Sequence, residues 1–166
     1  MKIIPTFIQD RGVQQRIKNT LLDGNNFGYT YKDHVGSLND KSDFYFLHTL
    51  FSSPFDGGQT QISQSFNEIL SPLIGRLNFN YLIRGKVNMY TRKPEFIKTE
   101  MHTDYPIEHM VALYSVNTNN GYTLFEDGTK VDSVENQIVI FHGSKKHCSV
   151  AQTDTNVRVN VNINFT

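Results

Sequence analysis

The spacing of hydrophobic positions changes near residue 78. In the first half, "GVQQRIKNTLLDG" places Val13, Ile17 and Leu21 four positions apart, which is the spacing of one helix face. Gly24 follows as a C-terminal stop signal. The stretch "QTQISQSFNEILSPLIGRLN" has a wider apolar stripe, in which Pro72 should kink or break a helix. Two N-terminal helices are predicted, each with one face to bury.

From about residue 78 the pattern becomes a series of short β runs separated by Asn, Gly and Asp. They are "NYLIRGKVNMYT", "HMVALYSVN", "GYTLFED", "TKVDSV", "NQIVIFHG", "CSVAQT" and "VRVNVNINF". Short strands at this close spacing indicate an antiparallel sandwich or barrel. Helices followed by strands predict a mainly β, α+β domain with the helices on one outer face of the sheets.

The last run alternates with a period of two, which predicts a strand with two different faces. Its apolar members are Val157, Val159, Val161, Ile163 and Phe165, and its polar members are Arg158, Asn160, Asn162 and Asn164. We expect the apolar face to pack under the helices. Solvent is the usual environment of the polar face, but a polar cavity inside a barrel gives the same pattern. An arginine among asparagines is unusual for an exposed strand.

Length and charge limit the function classes. The 166 residues suit one domain, residues 1–166, with a helical part over about 1–77 and a β core over about 78–166. A formal net charge of zero argues against a general binder of nucleic acid or acidic membranes. The single Cys148 excludes an intramolecular disulfide and a cysteine-based zinc cluster. Without a signal or membrane-spanning run, we expect a cytoplasmic protein.

One short stretch, "MHTDYPIEH", contains a candidate metal-binding pair, His102 and Asp104. In an extended segment the two side chains point to one side, with Cα atoms about 6.6 Å apart. An H-x-D pair alone is weak evidence for a metal site, because a hydrogen-bonded pair on the surface has the same sequence pattern. His147 in "GSKKHCSV" offers a third ligand, and His142 is the alternative. Two histidines and one carboxylate leave metal positions open, as in non-haem iron(II) oxygenases.

The order of these residues resembles a known family. His147 follows Asp104 by 43 positions (147 − 104), and Arg158 follows His147 by 11 (158 − 147). This order, over about residues 85–166, resembles the 2-oxoglutarate- and Fe(II)-dependent oxygenases, particularly their small prolyl-hydroxylase-like branch. The asparagine-rich sequence is similar to that of small viral members, notably from marine phages. This resemblance implies a viral source and a location in the host cytoplasm. The family's fold is a double-stranded β-helix, a jelly roll with N-terminal helices packed on one sheet.

The resemblance implies a role for each matching residue. His102, Asp104 and His147 would hold Fe(II), and 2-oxoglutarate would chelate the metal. Arg158 would hold the far carboxylate of 2-oxoglutarate, because its planar fork of donors matches a carboxylate bidentately. Tyr90, in "VNMYT", would donate to the same carboxylate or line the pocket. Asn160, on the same face of the strand as Arg158, would belong to the cavity wall.

The implied reaction uses O2 and yields succinate, CO2 and a hydroxylated substrate, with ascorbate as the reductant. Because the carboxylate ligand Asp104 is present, hydroxylation is favoured over halogenation. The substrate would be a peptidyl, prolyl-like residue or a small molecule. Residues 51–61 and 90–101 are loop-like, and the second of these segments is a candidate flexible lid.

Other function classes remain open at this point. A non-catalytic metal- or sugar-binding jelly roll would explain the H-x-D pair and the strands, but not Arg158 on the polar face. A structural jelly roll, such as a virion component, would explain the strands alone. A zinc hydrolase is a further alternative, since two histidines and a carboxylate also bind zinc. Only the oxygenase hypothesis predicts that metal and 2-oxoglutarate together stabilise the fold.

Overall fold

A computed structural model describes residues 1–23, 27–35 and 43–166 of the chain. Helix α1, Arg11–Leu22, begins where the Asp10 carboxylate accepts hydrogen bonds from the first-turn N–H groups of Gly12 and Val13. Gly24, predicted to end this helix, lies outside the described residues. Of the helices in the described ranges, none is long and apolar enough to cross a membrane.

The second helical segment is shorter than predicted. It consists of a π-helical turn at Phe66–Leu70 and one short helix, α2, at Ser71–Ile74. Pro72 has no N–H group to donate, so regular helical hydrogen bonding cannot continue through it. The π turn is closed by the Ser71 N–H group, which donates to the Phe66 carbonyl.

The strands of the second half follow the predicted β runs. The strands are β1 Lys2–Ile4, β2 Thr30–Lys32, β3 Tyr45–Ser52, β4 Gln61–Ile62, β5 Leu82–Thr91, β6 Met110–Ser115, β7 Asn119–Phe125, β8 Lys130–Ser133, β9 Ile138–His142, β10 His147–Val150 and β11 Val157–Phe165. The part over about 1–77, predicted to be helical, also contains strands β1 to β4. Strand β3, "YFLHTLFS", gives no alternation to detect, since apolar residues occur on both of its faces.

The strands form two antiparallel sheets, as the jelly-roll prediction requires. The larger sheet has the order β1-β9-β6-β11-β5-β3-β2, and the smaller has the order β10-β7-β8. Both helical segments pack on the larger sheet, where Ile17 and Ile69 share one apolar core with Val159, Val161 and Ile163 of β11. The apolar face of β11 therefore lies under the helices, as predicted.

The space between the sheets is apolar in one part and polar in another. Val111 and Phe141 of the larger sheet and Phe125 and Val131 of the smaller one form a second, smaller core. The polar face of β11 is also buried, and its residues Arg158, Asn160 and Asn162 line a cavity between the sheets. The β11 residues on that face are Arg158, Asn160, Asn162 and Asn164.

One glycine shows how closely the helical layer approaches the sheet. A Cβ atom on Gly85 of β5 would lie 2.8 Å from Cδ1 of the buried Leu70. We expect Gly85→Ala to lower the free energy of unfolding by about 1 to 3 kcal/mol, because a packed core has no room for an added methyl group. Urea unfolding measures this, with Gly28→Ala as the control, since its Cβ would meet nothing within 4 Å. Equal midpoints for the two variants would contradict the close contact.

Candidate metal centre

The segment that carries the H-x-D pair is held along the edge of the smaller sheet. Backbone N–H groups of Thr99 and Ala151 donate across the gap to Ser149 and Ile97, at 3.0 and 2.9 Å. Further along, His102 and His147 donate to each other's carbonyl groups at 3.0 and 2.9 Å. Residues 97–102 thus run antiparallel to β10, which differs from the flexible lid considered for 90–101.

The reciprocal bonds place the two histidine side chains side by side. Residues that exchange both backbone hydrogen bonds face each other directly in an antiparallel pair, and the rings of His102 and His147 have centroids 4.9 Å apart. Each Nδ1 atom lies 3.1 Å from a carbonyl oxygen, of Glu100 and Lys145 respectively. Because a carbonyl only accepts, this geometry favours the Nδ1–H tautomer of each neutral ring, in which Nε2 presents a lone pair.

Asp104 is fixed by the asparagines of β11. Its Oδ2 accepts hydrogen bonds from the side-chain amides of Asn162 and Asn164, at 3.1 and 2.7 Å. Its Oδ1 lies 3.9 Å from Nε2 of His102. Burial disfavours the charged carboxylate, but the charges of Lys86 and Arg84 and the Asn164 amide outweigh it and hold the pKa of Asp104 below its ordinary value. The carboxylate is therefore ionised and has one oxygen left for a cation.

The three side chains form a cluster suited to a metal ion. One donor atom each of His102, Asp104 and His147 lies within 4.8 Å of the others. Burial lowers the pKa of the His147 imidazole, against the opposing effect of Asp104, so its neutral, metal-binding form is favoured. His142, the alternative third ligand, is an exposed residue at the end of β9, where it contacts Ser144.

Arg158 lies deep in the same cavity, 3% exposed. Its Nη1 donates to the Ser149 hydroxyl at 2.8 Å and to the Val150 carbonyl at 3.1 Å, while its Nε is buried without a hydrogen-bond partner. Within the described ranges no carboxylate lies within ion-pair distance of this guanidinium. Burial lowers its pKa, but an arginine remains charged. An unpaired interior cation is costly, so the site favours an anion.

Tyr90 and Asn160 also line the cavity. The Tyr90 ring lies 5.6 Å from the Arg158 guanidinium carbon and stacks on Tyr45, with centroids 5.6 Å apart. Asn160 accepts a hydrogen bond at 2.9 Å from Asn88. Both residues are part of the cavity wall, and their contact with a co-substrate stays a prediction.

Three polar residues of β5 were not among the predicted site residues. Arg84, Lys86 and Asn88 line the cavity together with Tyr90. The signal was present in "RGKVNMY", where these residues alternate with Gly85, Val87 and Met89. Their importance depends on pairing between β5 and β11, which the sequence does not reveal.

The comparisons with solved structures identify the fold. A prolyl-4-hydroxylase from Pseudomonas putida is 11% identical, with a TM-score of 0.61 over 99% of this chain and 90% of that protein. A prolyl hydroxylase from Trichoplax adhaerens, in complex with a hypoxia inducible factor peptide fragment, is 13% identical, with a TM-score of 0.60 over 99% and 82%. The fold is that of the 2-oxoglutarate- and Fe(II)-dependent oxygenases.

The oxygenase fold also includes a neighbour that acts in small-molecule biosynthesis. The epimerase SnoN of nogalamycin biosynthesis, solved with Fe3+, alpha ketoglutarate and nogalamycin RO, is 11% identical, with a TM-score of 0.62 over 99% of this chain and 78% of that protein. No known family model and no curated protein sequence matches this chain. At these identities the likeness is one of fold.

The cluster predicts which histidine binds metal. We expect His147→Ala to weaken Co(II) binding by more than the roughly 10- to 100-fold that loss of an outer-shell partner costs, because it removes a ligand. His142→Ala should bind Co(II) like the unaltered protein. Titration of the cobalt visible absorption measures both affinities. Loss of binding in the His142 variant alone would move the third ligand to β9.

The asparagine contacts predict a second effect on metal affinity. Asn164→Ala removes the shorter hydrogen bond to Asp104 Oδ2, and we expect about 10-fold weaker Co(II) binding. Asn160→Ala is the matched control, since Asn160 lies on the same face of β11 but bonds to Asn88 instead of Asp104. Equal affinities in the two variants would show that Asp104 does not depend on Asn164 for its orientation.

Proposed function

We propose that this protein is a non-haem Fe(II)- and 2-oxoglutarate-dependent dioxygenase that hydroxylates a C–H bond of its substrate. The observation that carries the proposal is the buried Arg158, which has no carboxylate partner among the described residues and lies in one cavity with a His-Asp-His cluster. The oxygenase fold supports the same assignment. A metal- or sugar-binding jelly roll accounts for the cluster but gives no reason for the buried guanidinium.

The residues fit both groups that such an enzyme needs. His102, Asp104 and His147 would hold Fe(II) through two Nε2 atoms and Oδ1, a set that leaves further metal positions for other ligands. Arg158 bonds to Ser149, two residues after His147 on β10, and alternate residues of a strand are about 6.6 Å apart on one face. A short dicarboxylate could therefore reach from the metal to the guanidinium. The orphaned Arg158 Nε and the nearby Tyr90 would contact its far carboxylate.

When bound, iron and 2-oxoglutarate supply the oxidising chemistry. One O2 is consumed, 2-oxoglutarate becomes succinate and CO2, and the substrate C–H becomes C–OH, which balances atoms and electrons. The chain orients the ligands through the carbonyls of Glu100 and Lys145, holds the co-substrate at Arg158, and excludes water with the packed rings of Phe125 and Phe141, which flank His147. Ascorbate would act as the reductant that keeps the iron ferrous.

Two substrate classes remain for this reaction. One structural neighbour was solved with a peptide fragment and another with nogalamycin RO. A peptidyl, prolyl-like residue and a small molecule are therefore both compatible with the oxygenase fold. The asparagine-rich sequence predicts a viral source and a location in the host cytoplasm, and both stay predictions.

The proposal is tested by anaerobic titration of the protein with Fe(II) and then 2-oxoglutarate. We expect the visible charge-transfer band of a keto acid chelated to iron, and its loss with release of succinate when O2 is admitted. Folded protein that binds Fe(II) but develops no band would exclude the oxygenase assignment. A zinc hydrolase or a non-catalytic metal binder would then remain.

Arg158 can be tested separately from the metal. We expect Arg158→Ala to weaken 2-oxoglutarate binding by about 2 to 5 kcal/mol, because the co-substrate carboxylate loses its charged partner. Arg92→Ala is the control, since Arg92 is an exposed arginine outside the cavity lining. Both affinities are read from the charge-transfer titration. Unchanged 2-oxoglutarate affinity in the Arg158 variant would remove this residue from the co-substrate site.

A further inference from the structure

The cavity has a second positively charged region at the end remote from Arg158. Along paired strands β5 and β11, Tyr90 lies opposite Arg158, whereas Lys86 lies opposite Asn162. The four-residue separation of Lys86 and Tyr90 corresponds to about 13 Å along the strand. Because Asn162 donates to Asp104, the Lys86 end is the end next to the metal cluster.

The two charged ends differ in exposure. Arg158 and Tyr90 are buried, whereas Lys86 is partly exposed and the His102 side chain is 21% exposed. The deep end of the cavity therefore suits a co-substrate that remains inside during turnover. The end with Lys86 is the side from which a substrate can approach the metal.

Lys86 faces the Asp104 carboxylate electrostatically but forms no direct ion pair with it. No hydrogen bond or ion pair to its Nζ occurs among the described residues, and Nζ lies 5.9 Å from the centroid of the Tyr45 ring. Burial and the neighbouring Arg84 lower the pKa of Lys86 to about 8, while Asp104 and Asp56 oppose them. Once Asp104 is bound to a divalent cation, its charge no longer balances the ammonium group.

Arg84 increases the positive charge beside Lys86 and is itself held in place. Its Nη1 lies 3.3 Å from Asp56, its Nη2 donates to Asn164 at 3.2 Å, and its Nε is buried without a partner. Asp56 belongs to the 51–61 segment and also accepts a hydrogen bond from the Tyr105 hydroxyl. One carboxylate thus balances Arg84, and the charge of Lys86 remains.

We propose that Lys86, beside Arg84, binds a carboxylate group of the substrate on the side of the metal cluster opposite Arg158. The inference rests on the proposed oxygenase function and narrows its substrate to a molecule that carries a carboxylate near the oxidised C–H bond. A charge-assisted hydrogen bond to Lys86 would orient that bond toward the metal. An interior peptide residue without an acidic side chain offers no such group.

Acetate is the probe that tests this subsite directly. The protein is loaded with Mn(II), which broadens the proton resonance of any acetate close to it, and with saturating 2-oxoglutarate, which fills the Arg158 end. We expect saturable broadening of acetate and none of acetamide, its uncharged analogue. Acetate that is not broadened, or acetamide broadened equally, would overturn the proposal in the unaltered protein without any variant.

Variants then test whether Lys86 is the residue that binds acetate. Lys86→Met should weaken acetate binding by about tenfold or more, the value of one hydrogen bond to a charged group. Lys130→Met is the matched control, since Lys130 is half-exposed and lies outside the cavity. Broadening that persists in the Lys86 variant would place acetate directly on the metal and overturn the proposal.

Failure of the subsite and failure of the proposed function give different results. If Mn(II) and 2-oxoglutarate do not bind together, the oxygenase assignment itself fails. The other case is that Mn(II) and 2-oxoglutarate bind together in both the unaltered protein and Lys86→Met. If acetate is then broadened equally by the two proteins, only the proposal of a carboxylate subsite fails.

Discussion

Two backbone hydrogen bonds between His102 and His147 hold the candidate site together. The H-x-D segment belongs to neither sheet, and these bonds align it with β10 so that both imidazoles and Asp104 converge. The carbonyls of Glu100 and Lys145 then select the same tautomer in both rings. Backbone pairing thus sets the positions of the rings, and local carbonyl contacts favour one tautomer, before any cation binds. Such preorganisation lowers the cost of assembling a metal site.

Strand β11 joins the site to the hydrophobic core. Its apolar residues pack under the helices, while its alternate residues supply the guanidinium and the amides of the cavity. A shift in register by one residue would exchange the two faces and bury Arg158 against leucine and isoleucine side chains. The register of β11 against β5 and β6 is therefore a requirement of both folding and chemistry.

The features with a local, periodic signal could be predicted from the sequence. Strand β11 has its predicted bounds, and the H-x-D, His147 and Arg158 spacing brought together residues that the structure places in one cavity. Strand β3 was missed because both of its faces are covered, and the second helix was overestimated because Pro72 interrupts a stripe that is otherwise periodic. Lys86 and Arg84 could not be assigned, since their role depends on which strand lies beside β5.

The described strands at the two ends of the larger sheet have a consequence for self-association. Those strands, β1 and β2, are only three residues long. Long exposed edges recruit strands from other molecules, whereas very short ones offer few free backbone groups for pairing. Each edge also carries a lysine, Lys2 or Lys32, whose charge opposes stacking of identical chains. At these two edges, the larger sheet therefore offers little backbone for pairing with strands of other molecules.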